Sequence, residues 1–217
     1  MKLRVGMTVE LLSNAYRHGI FPMAVDGTGT IGWFSPDPRG VVPLDERFHI
    51  PHGLRRTLKK APFEITVNRA FPAVIRACST AHGETWISKE IMRAYTDLHR
   101  AGRAHSVEAW RKGELAGGLY GVHLGGAFFG ESMFHHITDA SKVVLVALVE
   151  RLRARGFGLL DTQWTTPHLI TFGGYEVPRP IYLAMLDDAL QRQCEFADPL
   201  DVNANDVNAN TRPPRRD

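Results

Sequence analysis

His105-Ser-Val-Glu-Ala-Trp-Arg-Lys-Gly-Glu-Leu-Ala-Gly-Gly-Leu-Tyr-Gly-Val122 is the stretch on which the fold reading turns. From His105 to Arg111 the residues alternate, the period of a strand with two different faces. Lys112-Gly113-Glu114 reads as a turn, and Leu115–Val122 returns as a second strand. A Gly125-Gly126 corner leads into a third run, Ala127–Phe134. Consecutive strands joined by short turns pair antiparallel.

Further along, Lys142–Arg155 is apolar enough for a helix buried on a wide face, and Phe157–Trp164 reads as another strand. Pro167–Phe172 is a short helix, and Tyr175–Val177 with Ile181–Leu186 should close the domain. Working back from the hairpin, Ser88 is a good N-cap for a helix with Ile91, Tyr95 and Leu98 on one face and Gly102 at its end. Ala70–Ser79 is a second helix, and Phe63, Ile65 and Val67 alternate as a strand. Pro51–Lys60 looks like a basic helix. Before it lies a Gly- and Pro-rich stretch carrying Ile31-Gly-Trp-Phe-Ser-Pro-Asp-Pro-Arg39. Thr8–His18 is a short helix that Gly19 can close and Pro22 stops. The expected class is α+β, with a mixed, mostly antiparallel sheet in an acyltransferase-like layout. The expected organisation is a small N-terminal domain over residues 1–62, a larger domain over 63–196, and a tail over 197–217. The tail repeats Asp-Val-Asn-Ala-Asn, has too little apolar content to fold, and is expected to be disordered.

The totals exclude more than they select. The chain has 217 residues, of which 44% are hydrophobic and 23% charged, with a net charge of +3. That suits a globular unit with a sizeable core. The mild positive excess permits an anionic partner without demanding one. Cys78 and Cys194 are far apart and read as free thiols in a reducing compartment. No stretch approaches the ~18 apolar residues of a membrane span. The sequence begins without an apolar leader, so the expected location is the cytoplasm.

Two strand-borne segments could carry chemistry: Gly130-Glu-Ser-Met-Phe134 and Leu160-Asp-Thr-Gln-Trp164. Strict alternation puts Asp161 and Gln163 on one face. It also puts Glu131 and Met133 together, opposite Phe128, Gly130, Ser132 and Phe134. Polar groups inside apolar strands need hydrogen-bond partners. A satisfied structural network and a reaction site therefore both remain open readings. Trp33 and Trp86 are core rings or ligand contacts. Arg55, Arg56, Lys59 and Lys60 are a solvated face or a phosphate-binding surface. His135 and His136 are neighbours on a strand and make a poor metal pair. Paired-Cys and His-Glu-x-x-His motifs are absent, as is the phosphate-binding Gly-x-x-x-x-Gly-Lys-Ser/Thr. The segment His135–Lys142 has no glycine, which argues against the pyrophosphate loop of a coenzyme-A acetyltransferase.

Trp33-Phe-Ser-Pro-Asp-Pro-Arg39, Thr85-Trp-Ile87, Ala104-His-Ser-Val-Glu108, Gly117-Gly-Leu-Tyr-Gly121, Gly130–Phe134, Ala140-Ser-Lys142 and Leu160-Asp-Thr-Gln163 occur in an order that resembles the bacterial leucyl/phenylalanyl-tRNA–protein transferases. The likeness runs from about Tyr16 to Leu183. It departs at Phe34, where the family usually has Trp, and at Met23, where Trp is common. The resemblance implies an acetyltransferase-like catalytic domain that takes Leu or Phe, and Met more weakly, from aminoacyl-tRNA. The acceptor would be a protein with N-terminal Arg or Lys, which the new residue marks for proteolysis. No metal or nucleotide cofactor and no membrane are implied. The resemblance assigns Gln163, helped by Asp161, to activating the acceptor amine; an amide oxygen is too weakly basic to hold the proton, so Gln163 is expected to orient the amine and Asp161 to polarise Gln163. Glu131 would meet the acceptor's charge. Leu119, Phe128, Met133 and Leu160 would line the donor side-chain pocket. Trp33 and Trp86 would position the terminal adenosine, and Arg55, Arg56, Lys59 and Lys60 would hold tRNA phosphates.

Overall fold

The computed structural model describes residues 6–25, 30–81 and 85–198. Helix α1 (Val9–Arg17) is capped by the Thr8 hydroxyl. Strands β1 (Phe21–Ala24) and β2 (Ile31–Phe34) form a separate antiparallel pair. There follow β3 (Arg39–Val42), α2 (His52–Lys60), β4 (Glu64–Val67), α3 (Phe71–Thr80) and α4 (Lys89–Arg100). The chain continues with β5 (Ala104–Arg111), β6 (Glu114–Leu124), β7 (Ala127–His135), α5 (Ala140–Ala154) and β8 (Leu159–Gln163). The last elements among the described residues are α6 (Pro167–Ile170), β9 (Tyr175–Val177) and α7 (Arg179–Leu190).

Seven strands make the main sheet, in the order β4-β5-β6-β7-β8-β3-β9. Only β7 and β8 run parallel, joined through α5; the other neighbours are antiparallel. One face packs on α1, α3, α4 and α7 through residues such as Leu12, Tyr16, Phe71, Ile91, Tyr95 and Tyr182. The other face packs on α5, through Val144, Leu145, Leu148 and Val149, and on Leu54 of α2. Two apolar layers on a mixed, mostly antiparallel sheet, its antiparallel run followed by a strand–helix–strand unit, give the α+β class.

Several local readings change. The Gly- and Pro-rich stretch before Arg39 holds β1 and β2, because runs of four residues between turn signals carry no usable period. Arg39–Val42 lies inside the main sheet between β8 and β9, so the sheet crosses the expected boundary at residue 62. Ile181–Leu186 belongs to the longer helix α7. The expected tail loses its first two residues to the fold: Asp198 is gripped by Arg151 and Arg155. Residues 199–217, with the Asn-rich repeat, lie outside the described residues.

The strand alternation along β7 also breaks. Tyr120 pairs with Ser132 and Gly121 with Gly130, leaving Glu131 as the extra residue of a bulge. The bulge inverts parity. Phe128 and Met133 both face α5, while Phe129 and Phe134 share the opposite face. Gly121 permits this, since a Cβ there would sit 2.3 Å from the Phe129 carbonyl oxygen.

Candidate active site

The ladder between β7 and β8 lasts only from Ala127↔Leu159 to Phe129↔Asp161. Beyond it lies a cavity of about 550 Å³, walled by Gly130–Met133 of β7, by Thr162 and Gln163 at the end of β8, and by Trp164 just after it. Parallel strands that separate leave backbone groups that a ligand or side chains must satisfy. One side of the cavity is apolar, formed by Leu119, Met133, Leu145, Leu148, Leu160 and Leu169. These belong to the α5-side core. Aromatic and thioether groups from elsewhere complete it: Phe21 and Met23 of β1, with Trp86 and Trp164.

Glu131 brings a carboxyl group into this apolar space. It is half-buried and meets Tyr16 Oη at 2.8 Å, Tyr95 Oη at 3.2 Å and Gln163 Nε2 at 3.3 Å. The two phenols also bond each other. Three contacts therefore link two phenols and one carboxyl, and the phenols supply only two protons. A protonated Glu131 supplies the third. Burial pushes its pKa up to about 8, the Tyr16 hydrogen bond opposes this, and the negative charge of Asp161 adds to it. Burial, reinforced by Glu131, likewise raises the pKa of Tyr16 and Tyr95. Both phenols thus stay neutral donors.

Asp161 sits behind the pocket wall, fully buried. Arg39, itself fully buried, grips it with Nε to Oδ1 at 2.9 Å and Nη2 to Oδ2 at 2.7 Å. The Tyr182 hydroxyl donates to Oδ2 at 2.7 Å, and the Gln163 backbone N–H donates to Oδ1 at 2.8 Å. Arg39 has further support. Its Nη1 donates to the Gly19 carbonyl at 2.9 Å, and its guanidinium lies 4.5 Å from the Tyr182 ring centre and 4.9 Å from that of Phe21.

Gln163 ends β8 in a conformation that a strand does not predict. Its φ is 60°, and the Trp164 N–H closes on the Thr162 carbonyl at 2.6 Å. That is a three-residue turn of the rare, strained hand. Gly40 of β3 lies against it: a Cβ there would fall 2.4 Å from the Trp164 carbonyl carbon. The carboxamide consequently points to Glu131. The polarising contact expected from Asp161 to the Gln163 side chain is replaced by the bond to its backbone N–H.

The cavity thus brings together Leu119, Glu131, Met133, Leu160, Gln163 and Trp86 of the residues singled out in the sequence. Phe128 is not in the wall. It is fully buried under Phe196, ring centres 4.9 Å apart. Trp33 stands 42% exposed on β2 and does not line the cavity, whereas Trp164 is equally exposed and part of it. Arg55, Arg56, Lys59 and Lys60 are all exposed on α2. That helix is tied to the start of α5 by Thr57 Oγ1 to Asp139 Oδ2 at 3.0 Å. Ser141 and Lys142, just beyond, line the cavity. Sequence reading gave no role to Tyr16, Tyr95, Arg39 or Tyr182. In the sequence Arg39 stands only as the end of the Trp33–Arg39 segment, and the tyrosines look like ordinary helix-face residues. Among the described residues, no group of three His, Cys, Asp or Glu could hold a metal ion, and no helix is long and apolar enough to cross a membrane.

The main sheet thus opens between two parallel strands onto an apolar cavity that ends on a carboxyl and a carboxamide. The profile described as leucyl/phenylalanyl-tRNA protein transferase matches residues 41–187, and that of the family's N-terminal domain matches residues 7–37. A leucyl/phenylalanyl-tRNA–protein transferase of Akkermansia muciniphila is 57% identical over 189 residues, covering 86% of this chain and 98% of that one. One from Herpetosiphon aurantiacus is 55% identical, covering 88% and 98%. One from Salinibacter ruber is 52% identical, covering 93% and 88%. The chain belongs to the leucyl/phenylalanyl-tRNA–protein transferase family and is an aminoacyltransferase.

Proposed function

We propose that this enzyme moves Leu or Phe, and Met more weakly, from aminoacyl-tRNA to the N-terminal Arg or Lys of an acceptor protein. The product is a peptide bond and a protein marked for proteolysis. One observation carries the reading: a single cavity joins an apolar wall, Leu119, Met133 and Leu160, to two polar groups, Glu131 and Gln163.

The donor side chain occupies the apolar wall. Burying a Leu-sized group supplies roughly 1.5–3 kcal/mol, and Met133 adapts to either Leu or Phe. Trp86 stacks against the terminal adenosine; Trp33, exposed on the N-terminal hairpin, is the second ring proposed for it. The acceptor's cationic side chain meets Glu131. Its arrival favours the carboxylate and drives off the proton that the tyrosine-bonded form holds.

Gln163 orients the acceptor amine. With Nε2 given to Glu131, its carbonyl oxygen is left to accept an amine N–H. An amide is too weak a base to keep the proton, so Gln163 aims the nucleophile. A free α-amine has a pKa of about 7.7–8.0, so its neutral form is available. The amine nitrogen attacks the ester carbonyl carbon and forms the C–N bond. The C–O bond to the ribose breaks, and the departing ribose oxygen takes up the proton released by nitrogen, directly or through water. The ester is already activated, so holding the amine against it supplies much of the rate, on the order of several kcal/mol. Arg55, Arg56, Lys59 and Lys60 steer the tRNA acceptor end by phosphate contacts.

The test is transfer of radiolabelled leucine from Leu-tRNA to two peptides that differ only in an N-terminal Arg or Ala. Label on the Arg peptide alone is expected. Label on neither, with Leu-tRNA still bound, contradicts the proposal and leaves a binding protein.

A further inference from the structure

The four hydrogen bonds to Asp161 account for its whole accepting capacity. Oδ1 takes Arg39 Nε and the Gln163 N–H; Oδ2 takes Arg39 Nη2 and the Tyr182 hydroxyl. A carboxylate offers about four lone-pair sites, and here each has a donor at 2.7–2.9 Å. No site is left for the Gln163 carboxamide or for a substrate amine, and the side chain is fully buried. Its hydrogen bond towards the reacting groups runs through the backbone of Gln163.

That backbone needs holding. Gln163 has a φ of 60°, a region that non-glycine residues enter at an energetic cost. The Asp161 bond to its N–H fixes the turn from one side, and the close face of Gly40 fixes it from the other. Released, residue 163 would relax towards extended backbone, and the carboxamide would swing away from Glu131. Arg39 is built to prevent this. It is pinned by the fork to Asp161, by the Gly19 carbonyl, and by two rings.

We infer that Arg39 and Tyr182 are positioning residues for aminoacyl transfer: they lock the Asp161 carboxylate onto the backbone N–H of Gln163, and Asp161 acts through this clamp and not by polarising the carboxamide. The inference rests on the transfer reading above for its kinetic readout and on the geometry for its structural one. Tyr182→Phe separates the two roles. It leaves the carboxylate charged and frees a lone pair on Oδ2. A polarising carboxylate would then act as well or better, whereas a clamp loosens.

The experiment measures single-turnover leucine transfer to the Arg peptide by the full chain, its Tyr182→Phe and Arg39→Lys variants, Gln163→Ala, and the Tyr182→Phe/Gln163→Ala double variant. Backbone amide exchange at Gln163 is followed alongside. Loss of one hydrogen bond is expected to lower the rate of Tyr182→Phe about five-fold. KM for Leu-tRNA should stay within about two-fold, and the Gln163 amide should exchange about ten-fold faster. Arg39→Lys loses the fork and falls further. In the Gln163→Ala background the Tyr182→Phe effect vanishes, because the clamp has nothing left to aim. A Tyr182→Phe rate equal to or above the parent overturns the inference. So does an equal loss in the Gln163→Ala background, which marks Tyr182 as a general support of the fold. If the parent transfers no leucine, the functional reading fails on its own. The clamp is then judged by amide exchange, and unchanged protection of Gln163 in Tyr182→Phe overturns it.

Discussion

The first three residues of β7, Ala127–Phe129, pair with β8 on one side and β6 on the other, and all three are fully buried. The next four, Gly130–Met133, lose β8, carry the bulge, and are each partly open to the cavity. One strand thus serves as core and as site within seven residues. The first half obeys the two-residue period and is closed by Phe196. The second violates it at Glu131, and its partner strand ends in the turn at Gln163. Regular pairing satisfies backbone groups internally. Breaking it frees space and polar groups for a substrate, and buried supports must then hold the broken ends.

The largest expected effect falls on the regular half. Phe196→Ala removes a fully buried ring packed on Phe128, His105 and Phe157. It should destabilise by about 3–5 kcal/mol in urea denaturation. Transfer per folded molecule should be unchanged. A lost rate with intact stability would erase the division between the halves.

Gly40→Ala strikes the opposite half. Its methyl group meets the Trp164 backbone at 2.4 Å. The chain must shift, at about 1–3 kcal/mol of stability. Moving Gln163 by about 1 Å should lower transfer up to about 100-fold. Thermal melts beside rate measurements separate the two effects. A normal rate would mean that the turn does not aim the carboxamide.

Glu131→Gln sharpens the electrostatic side. The Glu131 pKa, about 8 in the fold, lies above the ordinary carboxyl value of 4.5. The folded state therefore favours the protonated form. Its contribution to stability is present below about pH 4.5 and declines as pH rises through 8. Glu131→Gln should flatten that part of the pH–stability profile. In the parent enzyme, KM for the Arg peptide should fall as the pH approaches 8 and the carboxylate forms. In Glu131→Gln it should be raised about ten-fold or more and lose that pH dependence. A KM that titrates identically in both proteins would assign the acceptor's charge to another group.

The smallest effect is expected on α2. Reversing Arg55 and Arg56 to Glu should weaken tRNA binding and reduce the slope of log affinity against log salt by roughly 1 for each phosphate no longer neutralised. An unchanged slope would make that helix a solvated face.

The sequence exposed the sheet well where its period held. The β5–β6 hairpin was legible in its Lys112–Glu114 turn, α4 in its one-sided apolar spacing and Ser88 cap, and α5 in its apolar run, although β5 and β6 are buried on both faces. Glu131 and Gln163 stood out as polar residues within apolar strands. Their geometry was not legible. A bulge needs no glycine at the bulged residue, so parity along β7 was read straight through Glu131. The resemblance, not parity, put Phe128 in the pocket wall, and the ring is instead buried under Phe196. Gln163 adopts a positive φ with no local residue signal. Arg39 and Asp161 are 122 residues apart, and no spacing rule links them. Four-residue strands such as β3 are too short to show a period, which hid the segment that carries Arg39 and Gly40 into the sheet.

The most direct test of the account is Gln163→Ala, with Leu-tRNA affinity and single-turnover transfer measured on the same preparation. The account predicts a transfer rate lower by about 100-fold, in line with the loss of a positioning group, and an affinity for Leu-tRNA within about two-fold of the parent because the apolar wall and α2 are untouched. An unchanged rate would contradict it and would remove the turn at the end of β8 from the chemistry.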